Sequence, residues 1–474
     1  MPYDRSSVTP GIVHLGIGAF CRAHTAMYVD SVLPIDPSWG IVGASLKRPD
    51  TRDALAPQDF LYSLIERSAA GTKDRIIGSL LNVYVATHHR EGLIAIMADP
   101  RIRIVSLTVT EKGYCHDPAT GKLDESHAEI RHDLEHPNAP SSVPGLIVRA
   151  IAMRRLAGVA PFTVLCCDNL PSNGATVARI ITAFAALRSD ELASYVERSV
   201  AFPSTMVDRI VPATTDNDRR LASDATGLRD RWPVVTEPFT QWVVEDRFGG
   251  ERPPLERAQV QMVGDVHPYE LMKLRMLNGS HSTLAYLGYL AGYEYVNTAI
   301  ADPALRALIH DLMTEEVMGT LPKGLGDLDG YRDALIERFC NPALQHRTWQ
   351  IAMDGSQKLP QRLLGTIRER LAAGLPITRL SLGVAAWMRF VTGVGENGER
   401  IEVKDPLAPR LRATADAANG SPSELVEGLL RVSEVFGRDL SSNQTFRTLL
   451  LRYVTSLYQR GALATASLVH SGTL

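Results

Sequence analysis

Cysteine is scarce in this chain: Cys21, Cys115, Cys166, Cys167 and Cys340 are the 5 present among 474 residues. Their number is odd and no C-x-x-C pair occurs, so neither a disulfide framework nor a cysteine zinc site is indicated. Free thiols and no structural metal are expected. Cys21, beside a glycine turn, is the candidate for thiol sensitivity. No run of about 18 apolar residues is present, so no membrane-spanning helix is expected. The amino terminus Met-Pro-Tyr-Asp-Arg has neither the basic nor the apolar region of a secretory signal, which makes the cytoplasm the expected location. Charge of one sign is also lacking. A net charge of -3 leaves no basic footprint for nucleic acid or an anionic membrane. Internal repeats and low-complexity tracts are missing, which argues against solenoid and disordered architectures. What remains is a globular composition, 45% hydrophobic and 22% charged, in a chain long enough for two domains. Small-molecule chemistry is the expected work.

The amino-terminal half reads as strands separated by helices. Gly11-Ile-Val-His-Leu-Gly16 is a short apolar run ending in glycine, followed by Gly18 and a helix-compatible stretch through Asp30. Gly40 to Ser45, Ile104 to Thr110 and Phe162 to Cys167 are further buried-strand candidates. Continuous apolar strands alternating with helical segments predict a parallel sheet covered on both faces, an α/β doubly wound domain over residues 1–265. From about residue 266 strand runs vanish. Helical patterns at Ala304 to Met318, Gln361 to Ala373 and Leu425 to Phe436 predict a mainly α-helical domain over 266–474, punctuated by proline and glycine.

The segment Lys273-Leu-Arg-Met-Leu-Asn278-Gly-Ser-His281 carries the most chemistry. At about 100° per residue, with Lys273 at zero, Glu270 falls near about 60°, His281 near about 80° and Asn278 near about 140°. Four polar side chains share one arc of a helix in which the neighbours Leu271, Met272, Leu274, Met276 and Leu277 are apolar. A lysine buried there would have its pKa drawn from about 10.4 toward neutrality, as a general base near pH 7 requires. The structural alternative is a lysine that snorkels to water while Asn278 and His281 bond to backbone.

In Gly16-Ile-Gly18-Ala-Phe20-Cys-Arg22 the first two glycines fit the phosphate turn of a dinucleotide fold, but Cys21 replaces the third. The turn follows the first strand and opens a helix, where N–H groups and the helix dipole can hold a pyrophosphate. The second strand ends at Lys47-Arg48, with Asp50 only later, in place of the acidic residue that usually binds the ribose. NAD is the expected cofactor, with NADP left open by that basic pair. The fourth strand candidate ends in Cys167-Asp168-Asn169-Leu-Pro-Ser-Asn173-Gly174, where ligands of doubly wound sheets collect. Asn and Asp before Pro and Gly also build turns, so one of these asparagines is expected to be structural. Asp208-Arg209 sits between apolar residues, either as site or as salt bridge.

Taken together, these segments resemble the polyol-specific long-chain dehydrogenases, the mannitol dehydrogenase family. The motifs are Gly16-x-Gly18-x-Phe20-x-Arg22, Thr108-Val-Thr110-Glu111-Lys112-Gly-Tyr114, Cys167-Asp-Asn169, Met206-Val-Asp208-Arg-Ile210, Glu237-Pro-Phe-x-Gln-Trp242 and K-x4-N-x2-H at Lys273, Asn278 and His281. The resemblance implies a Rossmann-type domain plus a helical domain, no catalytic zinc, and a cofactor site including Gly16, Gly18, Phe20, Arg22, Thr110 and Glu111. It makes Lys273 the acid/base, Asn169 and Asn278 donors to the oxyanion, His281 a positioning group, Asp208 and Lys358 substrate contacts, and Glu270 a gate for proton exchange. Within the family, Lys112, Phe202-Pro-Ser-Thr-Met206 and the stretch from His346 and Arg347 to Lys358 are most similar to fructuronate reductases. A uronate carboxylate could pair with Lys112, Arg347 or Lys358. The expected reaction is reversible reduction of D-fructuronate to D-mannonate. A mannitol, arabinitol or sorbitol dehydrogenase is the alternative, and a non-catalytic nucleotide sensor or a zinc alcohol dehydrogenase lies further off. The expected partner is a small sugar acid or polyol, bound by a monomer or small homo-oligomer.

Overall fold

The computed structural model describes residues 1–117 and 120–474. The chain divides into two compact units, Met1–His267 and Pro268–Leu474.

The first unit is built on five parallel strands. In chain order these are β1 (Pro10–Leu15), β2 (Gly40–Ser45), β5 (Leu80–Val85), β6 (Ile104–Leu107) and β7 (Thr163–Cys166), arranged β5-β2-β1-β6-β7. The order reverses between β1 and β6, which is where ligands of open α/β sheets bind, beyond the carboxyl ends of the strands. Successive β1 residues feed opposite faces. Ile12 packs with Ile41, Ile104 and Leu165, whereas Val13 and Leu15 pack with Val42, Val105 and Val164. This two-sided burial is why the strands read as unbroken apolar runs.

Helices Arg90–Ala98, Val143–Leu156 and Asn173–Ala186 supply residues to one of these clusters. The other includes helix Thr25–Val32 and residues from two three-stranded sheets. One small sheet joins β4 (Gly71–Ile77), β3 (Tyr62–Ser68) and β9 (Val234–Thr236), and the other joins β11 (Gln261–Val263), β10 (Gln241–Glu245) and β8 (Thr205–Asp208). These six strands were not anticipated. β4 is polar and largely exposed, and Ala69-Ala70 carries no hairpin signal, so neither periodicity nor turn chemistry marks that hairpin. The helix expected through Asp30 is broken at His24 (φ -120, ψ -84) into Ala19–Ala23 and Thr25–Val32.

The second unit is helical, with no β-strand among its residues. Helices Ser280–Leu290 and Thr378–Phe390 are buried almost throughout. The last helix, Gln444–His470, breaks at Gly461 (φ 79, ψ 175), a conformation open essentially to glycine alone, and Glu396 accepts the freed Ala462 N–H at 2.6 Å. Three stretches widen into π-helices, Lys273–Gly279, Leu312–Val317 and Pro360–Leu364. Among the described residues no helix is long and apolar enough to cross a membrane.

Candidate active site

The carboxyl ends of β1, β6 and β7 carry a tightly bonded set of turns. Gly16 has φ 94, and a Cβ there would lie 2.1 Å from the Thr108 carbonyl oxygen, so only glycine lets the β1 turn close onto β6. Thr108 Oγ1 donates to the Gly16 carbonyl at 2.8 Å. His14 is buried between Ser106 Oγ at 2.7 Å and Thr108 Oγ1 at 2.8 Å. Burial pushes its pKa down to about 3, leaving a neutral imidazole. Because Thr108 gives its proton to Gly16, it accepts from His14 Nε2, and Ser106 donates to Nδ1. Gly18 is different: the nearest atom to a Cβ there is 3.9 Å away, so its outer face is open. Phe20 stacks on His24 at 5.0 Å. Arg22 turns inward, donating to the Trp232 carbonyl at 2.5 Å with its guanidinium over the Tyr62 ring. Cys21 is buried as well, and burial raises its thiol, so it is not poised for reaction.

At the end of β6, Thr110 adopts φ 65 and ψ 163, a region almost restricted to glycine. The Asp168 carboxylate holds it there, accepting from Val109 N at 2.9 Å, Thr110 N at 3.0 Å and Tyr114 Oη at 2.7 Å. Burial lifts the Asp168 carboxyl above its ordinary pKa, and these three donors oppose the rise. Thr110, Glu111, Lys112 and Asn169 are exposed around this knot. Asn173 is the structural asparagine: its Nδ2 donates to the Cys166, Asp168 and Thr205 carbonyls, and its Oδ1 accepts from Thr205 N at 2.9 Å. Asp208 closes β8 and is buried, while the neighbouring Arg209 bonds Glu66 and the carbonyls of Ala23 and Glu237. After β2, Lys47 pairs with Glu129 at 2.8 Å and Arg48 with Asp50, both at the surface.

In the second unit, Glu270 lies half-buried in helix His267–Met272, and the π-helix starts at Lys273. One extra residue in a turn sets everything beyond it back by about 100°. Asn278 therefore comes to about 40° from Lys273 rather than about 140°, and His281 to about 20° on the other side. The widened turn gathers the three residues on one face. Arg362, from the π-helix Pro360–Leu364, donates to the Asn278 carbonyl at 3.5 Å and Ser282 Oγ at 3.0 Å. Gly279 permits the approach, since a Cβ there would stand 2.8 Å from the Arg362 carbonyl oxygen.

His281 is buried, stacked on Phe339 with His346 edge-on, each at 5.0 Å between ring centres. Burial, then His346, Arg362, Arg338 and Lys358, holds its pKa well below the ordinary imidazole value. His346 is lowered too, by burial and Lys358. Both rings are thus neutral, and neither His281 Nε2 nor His346 Nδ1 has a hydrogen-bond partner among the described residues. Lys358 donates to the Ile351 carbonyl at 3.2 Å, and burial and Arg362 push its pKa down to about 8 against Asp354 and Asp405. Arg347 stands apart from this cluster. It is exposed, 3.5 Å from Glu294 and over the Tyr295 ring, beside a surface hollow that Tyr289, Trp349, Arg400 and Glu402 also line.

Residues 10–257 match the mannitol dehydrogenase Rossmann domain, and residues 265–458 match the mannitol dehydrogenase C-terminal domain. The chain belongs to the mannitol dehydrogenase family. It is similar to the oxidoreductase YeiQ of Escherichia coli (strain K12), itself uncharacterized, with 47% identity over 97% of this chain and 94% of that protein. It is also similar to the D-mannonate oxidoreductase of the same organism, with 45% identity over 97% and 96% of the two chains. Among solved structures, Pseudomonas fluorescens mannitol 2-dehydrogenase in its ternary complex with NAD and D-mannitol aligns with TM-score 0.86 and 39% identity, covering 98% and 95%. The protein is accordingly an oxidoreductase of this family, acting on CH–OH groups of polyols or sugar acids.

The first unit fits the dinucleotide such an enzyme uses. The strand order, the closed turn at Gly16 and the open face at Gly18 leave room for a pyrophosphate to approach backbone N–H groups. Sequence reasoning missed Arg338, His346 and Arg362 around His281. A signal for Arg362 was there, since it follows Lys358 by four residues along the helical segment. His346 stood beside Arg347, which drew attention by its charge.

Proposed function

We propose that this protein is an NAD-dependent reductase of D-fructuronate, forming D-mannonate reversibly. The observation that carries the reading is the cluster in the second unit, where Lys358, Arg362 and Arg338 surround two neutral imidazoles whose buried His281 Nε2 and His346 Nδ1 have no hydrogen-bond partner among the described residues. Such a site pairs cations with a carboxylate and offers imidazole nitrogens to sugar hydroxyls. The 45% identity to a D-mannonate oxidoreductase supports it. The nicotinamide, when bound, supplies or accepts the hydride at the carbinol carbon.

In the reduction, Lys273 Nζ gives its proton to the oxygen that becomes the hydroxyl. Asn169 and Asn278 donate N–H bonds to that oxygen as charge builds on it, each worth about 3 kcal/mol at such a position. His281 orients the substrate, Asp208 accepts from a substrate hydroxyl, and Glu270 passes protons between Lys273 and water. Lys112, Arg347 and Lys358 were the cations expected at the carboxylate; of these, Lys358 has the supporting surroundings. Gly16, Gly18, Phe20, Thr110 and Glu111 form the cofactor side, with Arg22 supporting it from beneath. NADP remains the alternative cofactor, because surface ion pairs such as those of Lys47 and Arg48 exchange partners at little cost.

A polyol 2-dehydrogenase is the second reading, favoured by the engagement of Arg347 with Glu294 and by the 39% identity to a mannitol 2-dehydrogenase. The deciding experiment follows NADH and NADPH oxidation with D-fructuronate and with D-fructose. Turnover confined to fructuronate supports the uronate reading, and preference for fructose replaces it with the second.

A further inference from the structure

We propose that Asp168 is a positioning residue that holds the Thr110 turn in its strained conformation and thereby sets cofactor affinity. The inference rests on the dinucleotide reading of the first unit. Thr110 is exposed, so no packing demand explains a β-branched side chain at φ 65 and ψ 163, where glycine alone sits without strain. A conformation of that kind persists only when its surroundings over-determine it. Here one carboxylate does so, binding the N–H groups of Val109 and Thr110 and the Tyr114 hydroxyl within 3.0 Å. The Gly113 N–H closes the turn onto the Thr110 carbonyl at 3.0 Å.

The placement links two loops. Thr110 and Glu111 follow β6, and Asp168 follows the neighbouring β7, immediately before Asn169. Fixing Thr110 to Asp168 therefore fixes the cofactor-side residues relative to the Asn169 backbone. Exposed Thr110 and Glu111 would lose a defined orientation without it.

The test is a double-mutant cycle between Asp168→Asn and Thr110→Gly, read as the NADH dissociation constant from cofactor fluorescence, with kcat and KM measured alongside. The amide of Asp168→Asn puts an NH2 against one of the two backbone donors, so the turn should relax and NADH binding weaken by about tenfold or more. In the Thr110→Gly background the turn no longer needs to be forced, and the same change should cost no more than about threefold. Tyr114→Phe, which removes only one donor, should weaken NADH binding by a few fold and covers the case in which Asp168→Asn does not fold. Unchanged NADH affinity in Asp168→Asn, an equal loss in both backgrounds, or, where Asp168→Asn does not fold, an unaffected Tyr114→Phe would overturn the inference while leaving the dinucleotide reading intact. A wild type that binds neither NADH nor NADPH would remove both.

Discussion

Lys358 offers a pH signature that separates a carboxylate substrate from a neutral one. Its pKa is pushed down to about 8 by burial and by Arg362, with Asp354 and Asp405 opposing. It is therefore about nine-tenths cationic at pH 7 and about one-tenth at pH 9. His281 and His346 beside it are held below the ordinary imidazole value, and Arg362, although burial lowers it, keeps its charge as a guanidinium. A charge-assisted bond to a carboxylate contributes about 1.5–3 kcal/mol, or roughly a factor of 10 to 150 in binding.

The quantity to measure is kcat/KM for D-fructuronate divided by kcat/KM for D-fructose, from pH 6.5 to about 10. Limbs shared by both substrates, including that of the proton donor, cancel in the ratio. It should be level below pH 7 and fall about tenfold per unit above pH 8, until the contribution of the charge is exhausted. In Lys358→Met the ratio should start low and stay flat. In Lys358→Arg the fall should disappear, since a guanidinium stays charged. A ratio that is flat in the wild type, or that still falls in Lys358→Arg, refutes the assignment of Lys358 to a substrate carboxylate.

Further outcomes follow from the same geometry. Lys273→Ala should lower kcat by about 10²–10⁴, the range for lost acid–base help, while NADH still quenches protein fluorescence. Gly16→Ala forces a Cβ to within 2.1 Å of the Thr108 carbonyl at φ 94, so NADH affinity and Tm should both drop, and a variant with unchanged values would contradict the closed turn. Native protein should keep its activity under a thiol reagent acting at Cys21, which is buried with its thiol raised; labelling of Cys21 before unfolding, seen by peptide mass, would show otherwise.

The sheet was legible because its strands are buried on both faces. Ile12 and Val13 enter different clusters, so both had to be apolar, and a run of such residues is visible in any window. β5 escaped because Asn82 and Tyr84 interrupt it, and β3 and β4 because their hairpin turn is Ala69-Ala70. Candidate site residues that are polar among apolar neighbours, such as Lys273 and Asp208, announce themselves. Arg338 and His346 do not, since they reach His281 from segments distant in sequence. Asp168 was quoted as part of a polar cluster, yet its role depends on the φ of Thr110, which no composition or spacing encodes.

The helix at Lys273 shows where periodicity itself gives out. A constant 100° spreads Lys273, His281 and Asn278 over about 140°, and the observed π-helix removes most of that spread. The wider turn packs against Pro360–Leu364. Arg362 accounts for one carbonyl of the widened turn through Asn278, and Gly279 provides the clearance. The consequence is testable at a residue that bears no chemistry. Gly279→Ala would set a Cβ 2.8 Å from the Arg362 carbonyl oxygen, so backbone must shift rather than a flexible side-chain end. Overpacking of that kind costs about 1–3 kcal/mol, and misdirecting Lys273 and Asn278 should lower kcat more than it raises the KM for NADH. If Gly279→Ala turned over like the wild type with an unchanged Tm, the π-turn would not be what aligns the lysine with its partners, and the regular-helix arc would have to suffice.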